Sequence, residues 1–320
     1  MKQRIIISLQ IVLCITTCCM VFAGCSKESE EDKKPQYVEN NPLPANKTTL
    51  KVLAIGNSYT IDGTACIRHI LGGTNVKSKD YCVYILSHPR ASLGYWSERI
   101  TMNATDSLIL RAGSLKMPVV KGTMTELLTQ DWDIIVMQQY SAYAPRFYTY
   151  NPHLNHLLSF CKASCTNDKV SFAWQMVHAY GSGYYLNQGL VGEARWLEIV
   201  NATKEMQEQV GIDIIIPTGT AIQNARNTEL QTDAELTRDQ THLCYGAGRH
   251  IAGLVWVQTL FAPMFNISIL SSPVNHPLAE WELANTEIIP NSSVPVTDEN
   301  RKLCIDCAYK ACKNPFSLSY

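Results

Sequence analysis

The chain has 320 residues, 46% of them hydrophobic, with 27 Lys and Arg against 28 Asp and Glu for a formal net charge of −1. That is enough apolar material for a sizeable core. The balanced charge, with no basic stripe, excludes a nucleic-acid surface, and the lack of a Walker or dinucleotide-type glycine pattern excludes a nucleotide cofactor.

Lys2 and Arg4 precede an apolar run from Ile5 to Ala23 that ends at Gly24-Cys25. A basic head, an apolar stretch and small residues make an export signal over residues 1–24. Small residues directly before a cysteine resemble a bacterial lipobox, in which Cys25 becomes the lipidated first residue; Phe22 is an imperfect fit three positions before it. An uncleaved transmembrane anchor is the alternative, since the run is near the roughly 20 residues a bilayer needs. Residues 25–46 open with an acidic and basic run, Ser26 to Lys34, become rich in Pro and Asn, and show no apolar periodicity, which predicts a flexible tether. The expected address is extracytoplasmic, lipid-anchored to the outer membrane of a Gram-negative bacterium on its periplasmic or cell-surface face. The acidic run beside Cys25 resembles the signals that send some lipoproteins to the cell surface.

Residues 47–320 are expected to form a single α/β domain. Short apolar runs predict strands near 51–56, 81–87, 133–138, 169–175 and 212–216, with helices near 63–72, 121–129, 151–166, 188–210, 246–261 and 298–312. Thr297 is the predicted N-cap of the last helix, and Pro315 its stop signal. This alternation predicts a three-layer α/β/α sandwich around a five-stranded parallel sheet in flavodoxin-like order. Ligand sites then fall in the loops at the carboxyl ends of the strands.

Those loops hold the chemistry-bearing residues. Gly56-Asn57-Ser58 follows the first strand and delivers one hydroxyl; Arg90-Ala91-Ser92 follows the second; Gln138-Gln139 the third; Trp174 to Tyr180 the fourth. Asp239-Gln240-Thr241-His242 lies before the helix that opens near Gly246. A serine is a poor nucleophile unless an imidazole takes its proton and a further group orients that imidazole. Ser58, His242 and Asp239 supply those groups, whereas Ser58 alone reads first as a helix N-cap.

The order of these blocks resembles the SGNH, or GDSL-like, hydrolase superfamily, with Asn57 in place of the usual aspartate. More narrowly, Ile55 to Thr60, the Gln138-Gln139 pair, Ile216 to Gln223, and Asp239-x-x-His242 followed by Gly246-Ala247-Gly248-Arg249 are similar to an SGNH-like branch catalogued as a domain of unknown function in bacterial lipoproteins. The resemblance implies Ser58 as nucleophile, His242 as base and then acid, and Asp239 as its orienter. It also implies an oxyanion hole made of the Ser58 N–H, a donor in the loop after the second strand, and a side-chain amide after the third. The superfamily's glycine and asparagine are missing there. Arg90 or Ala91 supplies the backbone donor only if the loop does not demand φ > 0, and Gln138 or Gln139 is the only nearby amide.

Trp174, His178 and Tyr140 are candidate substrate contacts, with Tyr143 and Tyr148 close by, because aromatic faces at a site mouth suit sugar rings; the competing reading of such residues is core packing. The expected activity is hydrolysis of O-acyl, chiefly O-acetyl, esters on carbohydrate, with no metal and no cofactor. The alternatives are an inactive surface glycan-binding lipoprotein and an esterase acting on lipid or peptidoglycan esters. Eight cysteines lie beyond Cys25, and they read as core residues or disulfide partners; Cys304, Cys307 and Cys312 lack a second ligand pair at zinc spacing.

Overall fold

The structure, a computed structural model, describes residues 40–45, 47–113, 118–184, 191–231, 235–271 and 294–319. The expected signal, Cys25 and most of the tether lie outside the described residues.

The strands are Leu50–Gly56 (β1), Tyr81–Ser87 (β2), Thr105–Gly113 (β3), Val119–Thr123 (β4), Ile134–Met137 (β5), Ser171–Gln175 (β6) and Ile214–Ile216 (β7). They form one sheet in the order β4-β3-β2-β1-β5-β6-β7. β1 pairs in parallel with β2 and β5, β6 with β5, and β7 with β6, whereas β3 pairs antiparallel with both β2 and β4. The expected five-stranded parallel, flavodoxin-like sheet is therefore wrong: the sheet has seven strands among the described residues and is mixed.

The two unforeseen strands form an edge hairpin that buries little. β3 carries Asp106, Ser107 and Arg111 and buries only Leu108, Ala112 and Gly113, while no residue of β4 is buried. Such strands show neither the continuous apolar run of a covered strand nor clean alternation. Lys121 on the outer strand also discourages pairing with another chain. The helix expected over 121–129 shrinks to Met124–Leu128, because its first residues belong to β4 and Thr123 closes a capping box with Glu126.

The helices that matter for the site are Ser58–Thr64 (α1), Ile67–Gly72 (α2), Leu93–Thr101 (α3), Met124–Leu128 (α4), His153–Ser164 (α5), Gly192–Val210 (α6), Thr218–Arg226 (α7), Ala247–Trp256 (α8) and Asp298–Lys313 (α9). Successive strand residues point to opposite faces. Val52, Ala54, Val83, Ile85 and Val136 pack with α2, α7, α8 and α9; Leu53, Ile55, Leu86, Ile135 and Met137 pack with α3, α4, α5 and α6. Each such buried aliphatic contributes about 1.5–3 kcal/mol of hydrophobic stabilisation.

Part of the expected tether is docked. Asn40 exchanges hydrogen bonds with the backbone of Phe172 (2.7 and 2.8 Å), Asn41 donates to Val170 O (2.9 Å), and Ser171 Oγ donates to Pro42 O (2.6 Å). These contacts cover β6 just before its pairing with β7 begins. All eight described cysteines are free thiols. Cys304 and Cys307 sit in the core, where burial pushes their thiols up to about 12 and about 11, so they behave as small apolar residues.

Candidate active site

β1 ends at Gly56, where a Cβ would press on Thr60 Oγ1 and come within 2.8 Å of Gln138 Nε2, so only glycine lets the turn close. Asn57 then caps α1. Its Oδ1 accepts from the Tyr59 N–H (3.0 Å) and Gln138 Nε2 (2.6 Å), and its Nδ2 donates to Ala91 O (2.9 Å). One neutral amide thus joins the loops after β1, β2 and β5. A carboxylate cannot make the bond to Ala91 O. Asn57→Asp is therefore expected to lower stability by about 1–3 kcal/mol, the cost of leaving a buried acceptor unpaired, as read by urea denaturation.

Ser58 is the first residue of α1, and its Oγ lies 2.8 Å from His242 Nε2. His242 Nδ1 lies 2.6 Å from Asp239 Oδ2. With the proton on Nδ1 facing the carboxylate, Nε2 is the acceptor for the serine hydroxyl, as nucleophile activation requires. The other carboxylate oxygen, Oδ1, accepts from the N–H of His242 (2.6 Å), the N–H of Thr241 (3.0 Å) and the Thr241 hydroxyl (2.8 Å). Burial pushes the Asp239 carboxyl up, but the bonds from the His242 ring, the His242 N–H and Thr241 outweigh it and hold the group well below the usual carboxylate range. Asp239 is charged at neutral pH.

The loop carrying this pair is tight and strained. Thr237 bridges Leu243, Arg238 N–H donates to His242 O (2.9 Å), and Glu235, Leu236 and Gln240 all adopt positive φ (49°, 60° and 66°). Non-glycine residues held so cost about 1–3 kcal/mol each and persist only where neighbours impose them. Three braces do so here. Gln240 O accepts from Gly181 N–H (2.8 Å), Glu235 accepts from Ser182 N–H (2.9 Å), and His178 Nε2 donates to Thr241 O (2.7 Å).

His178 is therefore a brace and not the substrate contact expected of it. It is buried and stacks on Tyr59 at 4.3 Å between ring centroids. Burial first, then the Arg226 guanidinium, pushes it down to about 3 against the opposing bond to Thr241 O. The sign of the pH effect follows: between about 6.5 and about 3 the unfolded state binds a proton that the native state refuses, so stability falls as pH falls through this window. Denaturation midpoints should show His178 removing roughly 2 kcal/mol between about pH 7.5 and about pH 5. His178→Gln, which keeps an N–H donor, is expected to flatten that slope.

Trp174 is likewise corrected: it is 1% exposed, in the core against Tyr150 at 5.1 Å. Tyr140 is half-buried and meets Tyr143 edge to face at 5.4 Å.

Both expected side-chain amides are engaged by the protein. Gln138 Nε2 is committed to Asn57, and Gln139 Nε2 donates to Thr149 O (3.0 Å) and Oγ1 (3.2 Å) while its Oε1 accepts from Leu93 N–H (3.1 Å) and Tyr140 N–H (2.8 Å). In the loop after β2, Ala91 N–H donates to His88 O (3.1 Å) across a turn with Pro89 second and Arg90 third, and Arg90 has φ 58°. That is the position where a turn with Pro second favours glycine, so the loop does demand positive φ and an arginine adopts it. Ser58 opens a helix, where no intrahelical carbonyl reaches the first N–H groups, which leaves its own N–H for an oxyanion.

Asp62, four residues along α1 from the nucleophile candidate, was not foreseen. It is fully buried and accepts from Arg238 Nη1 (3.2 Å), Arg249 Nε (2.9 Å), Arg249 Nη2 (2.8 Å) and Leu243 N–H (2.9 Å). It ties α1 to both the histidine loop and α8. A lone acid among the small and apolar residues of this helix was the available signal. Among the described residues, no cluster of His, Cys, Asp or Glu could hold a metal ion.

The family described as a domain of unknown function, DUF4886, matches residues 51–277, more than half of the chain. The chain belongs to this family. The DUF4886 region takes in Ser58, Asp62, Asp239 and His242. A crystal structure of a DUF4886 family protein from Bacteroides uniformis aligns with a TM-score of 0.68 at 22% identity, over 85% of this chain and 97% of that one, which shows a shared fold. A protein from Slackia heliotrinireducens proposed to be an SGNH hydrolase aligns at TM-score 0.46 and 19% identity, over 66% of this chain and 98% of that one. A Parabacteroides merdae protein proposed to be a GDSL-like lipase aligns at 0.44 and 12%, over 68% and 98%. No curated protein matches the chain. Within this DUF4886 protein, the Ser58–His242 pair has the geometry of a serine hydrolase's nucleophile and base.

Proposed function

We propose that this protein is an SGNH-type serine esterase that removes O-acyl groups, chiefly acetyl, from carbohydrate. The observation that carries the reading is the relay from Ser58 Oγ to His242 Nε2 (2.8 Å) and from His242 Nδ1 to Asp239 (2.6 Å). Ser58 Oγ attacks the ester carbonyl as His242 takes its proton, and the N–H groups of Ser58 and Arg90 receive the oxyanion. Collapse expels the sugar hydroxyl, which leaves with the proton from His242. Water, deprotonated by His242, then attacks the acyl-serine, the bond to Ser58 Oγ breaks as His242 returns the proton to it, and the carboxylic acid leaves and ionises. Lacking a side-chain amide in the hole forgoes roughly 3–4 kcal/mol of transition-state stabilisation, so turnover is slow.

The choice of carbohydrate rests on the near-neutral charge and on the address proposed for the chain, lipid-anchored through Cys25 at the outer membrane. A binding-only reading draws on the committed amides of Gln138 and Gln139. Acetate release from O-acetylated xylan separates the two. The esterase reading expects release by the wild type and background release by Ser58→Ala; equal inertness of both on acetylated glycans and simple esters would end it.

A further inference from the structure

Between the start of α3 and the loop running from β5 into α5 lies a pocket of about 190 Å³, lined among others by Ser92, Gly94, Tyr143, Tyr148, Asn151 and His153. We propose that it is a subsite for a neutral sugar ring, the ring whose ester is presented to Ser58; in that respect the inference rests on the esterase reading.

Position is the first argument. Ser92 directly follows Ala91, whose carbonyl is held by Asn57 beside Ser58. Gln139, which also lines the pocket, accepts from Leu93 N–H and donates to Thr149. The pocket thus belongs to the loops after β2 and β5, the two strands that flank β1. Charge is the second argument. No Lys, Arg, Asp or Glu lines it, and besides the imidazole of His153 its walls are neutral, so no fixed charge there selects an ionic ligand.

The third argument is an unmet demand. Both polar atoms of the Asn151 side chain are shielded from solvent and have no partner among the described residues. Buried polar groups are normally paired. A free carbonyl oxygen and a free amide NH₂ side by side match adjacent sugar hydroxyls, each of which donates and accepts. The rim supplies the rest: Tyr143 is 42% and Tyr148 77% exposed. Exposed aromatic rings beside polar groups suit the C–H face of a pyranose and its hydroxyls together, whereas an acyl chain would leave the Asn151 amide unmet.

The test is calorimetric titration of the full chain carrying Ser58→Ala, so that the ester survives, with partially O-acetylated xylo- and manno-oligosaccharides. Saturable binding is expected with at least one probe, weakened about tenfold or more by Tyr148→Ala and by Asn151→Ala, and unchanged by Met102→Ala, an exposed residue outside the pocket. No saturable heat with either probe, or unchanged affinity in Tyr148→Ala, overturns the proposal; Tyr148 is exposed enough for its truncation to leave the fold intact, so it decides the matter if Asn151→Ala does not fold. The two readings fail separately. Pocket-dependent binding with no ester hydrolysis by the wild type removes the esterase and keeps the subsite, while hydrolysis of p-nitrophenyl acetate without saccharide binding does the reverse.

Discussion

Ser58→Ala is expected to lower kcat/KM for p-nitrophenyl acetate by about 10⁴–10⁶-fold, to the background rate. Among the described residues, the Ser58 hydroxyl at the end of β1 is the group that meets His242 Nε2, so no neighbour takes over its bond to the acyl group. His242→Ala should cost a similar factor. The double variant should lose little more than either alone, because nucleophile and base act as one unit. Asp239→Asn is expected to cost about 10⁴-fold: an amide NH₂ facing Nδ1 favours the wrong tautomer, with the ring proton on Nε2, where it meets Ser58 instead of accepting from it. Steady-state kinetics of the four variants decide this. Independent, multiplying losses for Ser58 and His242, or retained activity in Ser58→Ala, would show that the pair does not work as a relay.

Asp62→Ala carries the second large effect, a loss of about 3–5 kcal/mol and a Tm lower by roughly 10 °C. The carboxylate is completely buried and answers two guanidiniums, of Arg238 and Arg249, and the Leu243 N–H. Those arginines also lie over the Tyr245 ring, at 5.0 and 4.6 Å, inside the fold. Without Asp62 they keep their charge and lose their counter-charge, which is the costly way to break a buried pair. Its bonds to Arg238 and Leu243 flank His242, so at temperatures where the variant is folded kcat should also fall, because His242 is held less tightly against Ser58. A Tm within a degree or two of wild type in calorimetry would mean that the cluster contributes little.

The His178 slope and the Asp62 cluster share a lesson about specification. Ser58, Asp239 and His242 were legible because local signals mark them: a buried strand entering a Gly-Asn-Ser turn, and an acid three residues before an imidazole. Their bonds fit that spacing, since Asp239 folds back on the His242 ring and on two backbone N–H groups of its own loop. The groups that hold the loop were not legible. Asp62 is 176 residues from Arg238 in the chain, and His178 is 63 from Thr241. No periodicity or spacing reports such pairings. Gln138 and Gln139 were misread for the same reason: a glutamine after a strand looks free until Asn57, Thr149 and Leu93 are seen to engage it. Trp174, inside β6, and His178, just beyond it, looked like site aromatics and are core, as position near a strand end does not tell which way a side chain points.

What the sequence by itself determined is what short range controls: the covered run of β1, the glycine-closed turn after it, the candidate nucleophile on that turn, and the acid and imidazole three residues apart in one loop. Tertiary structure alone decided the rest. The β3–β4 hairpin, which makes the sheet mixed, is stabilised by pairing with β2 and not by apolar pattern, so its residues carry no strong signature. The donors left for an oxyanion, the brace behind Thr241 and the buried charge beneath the histidine loop all depend on groups far apart in the chain. Hydrogen bonds and ion pairs are satisfied by whatever the fold brings near, and only the folded chain names those partners.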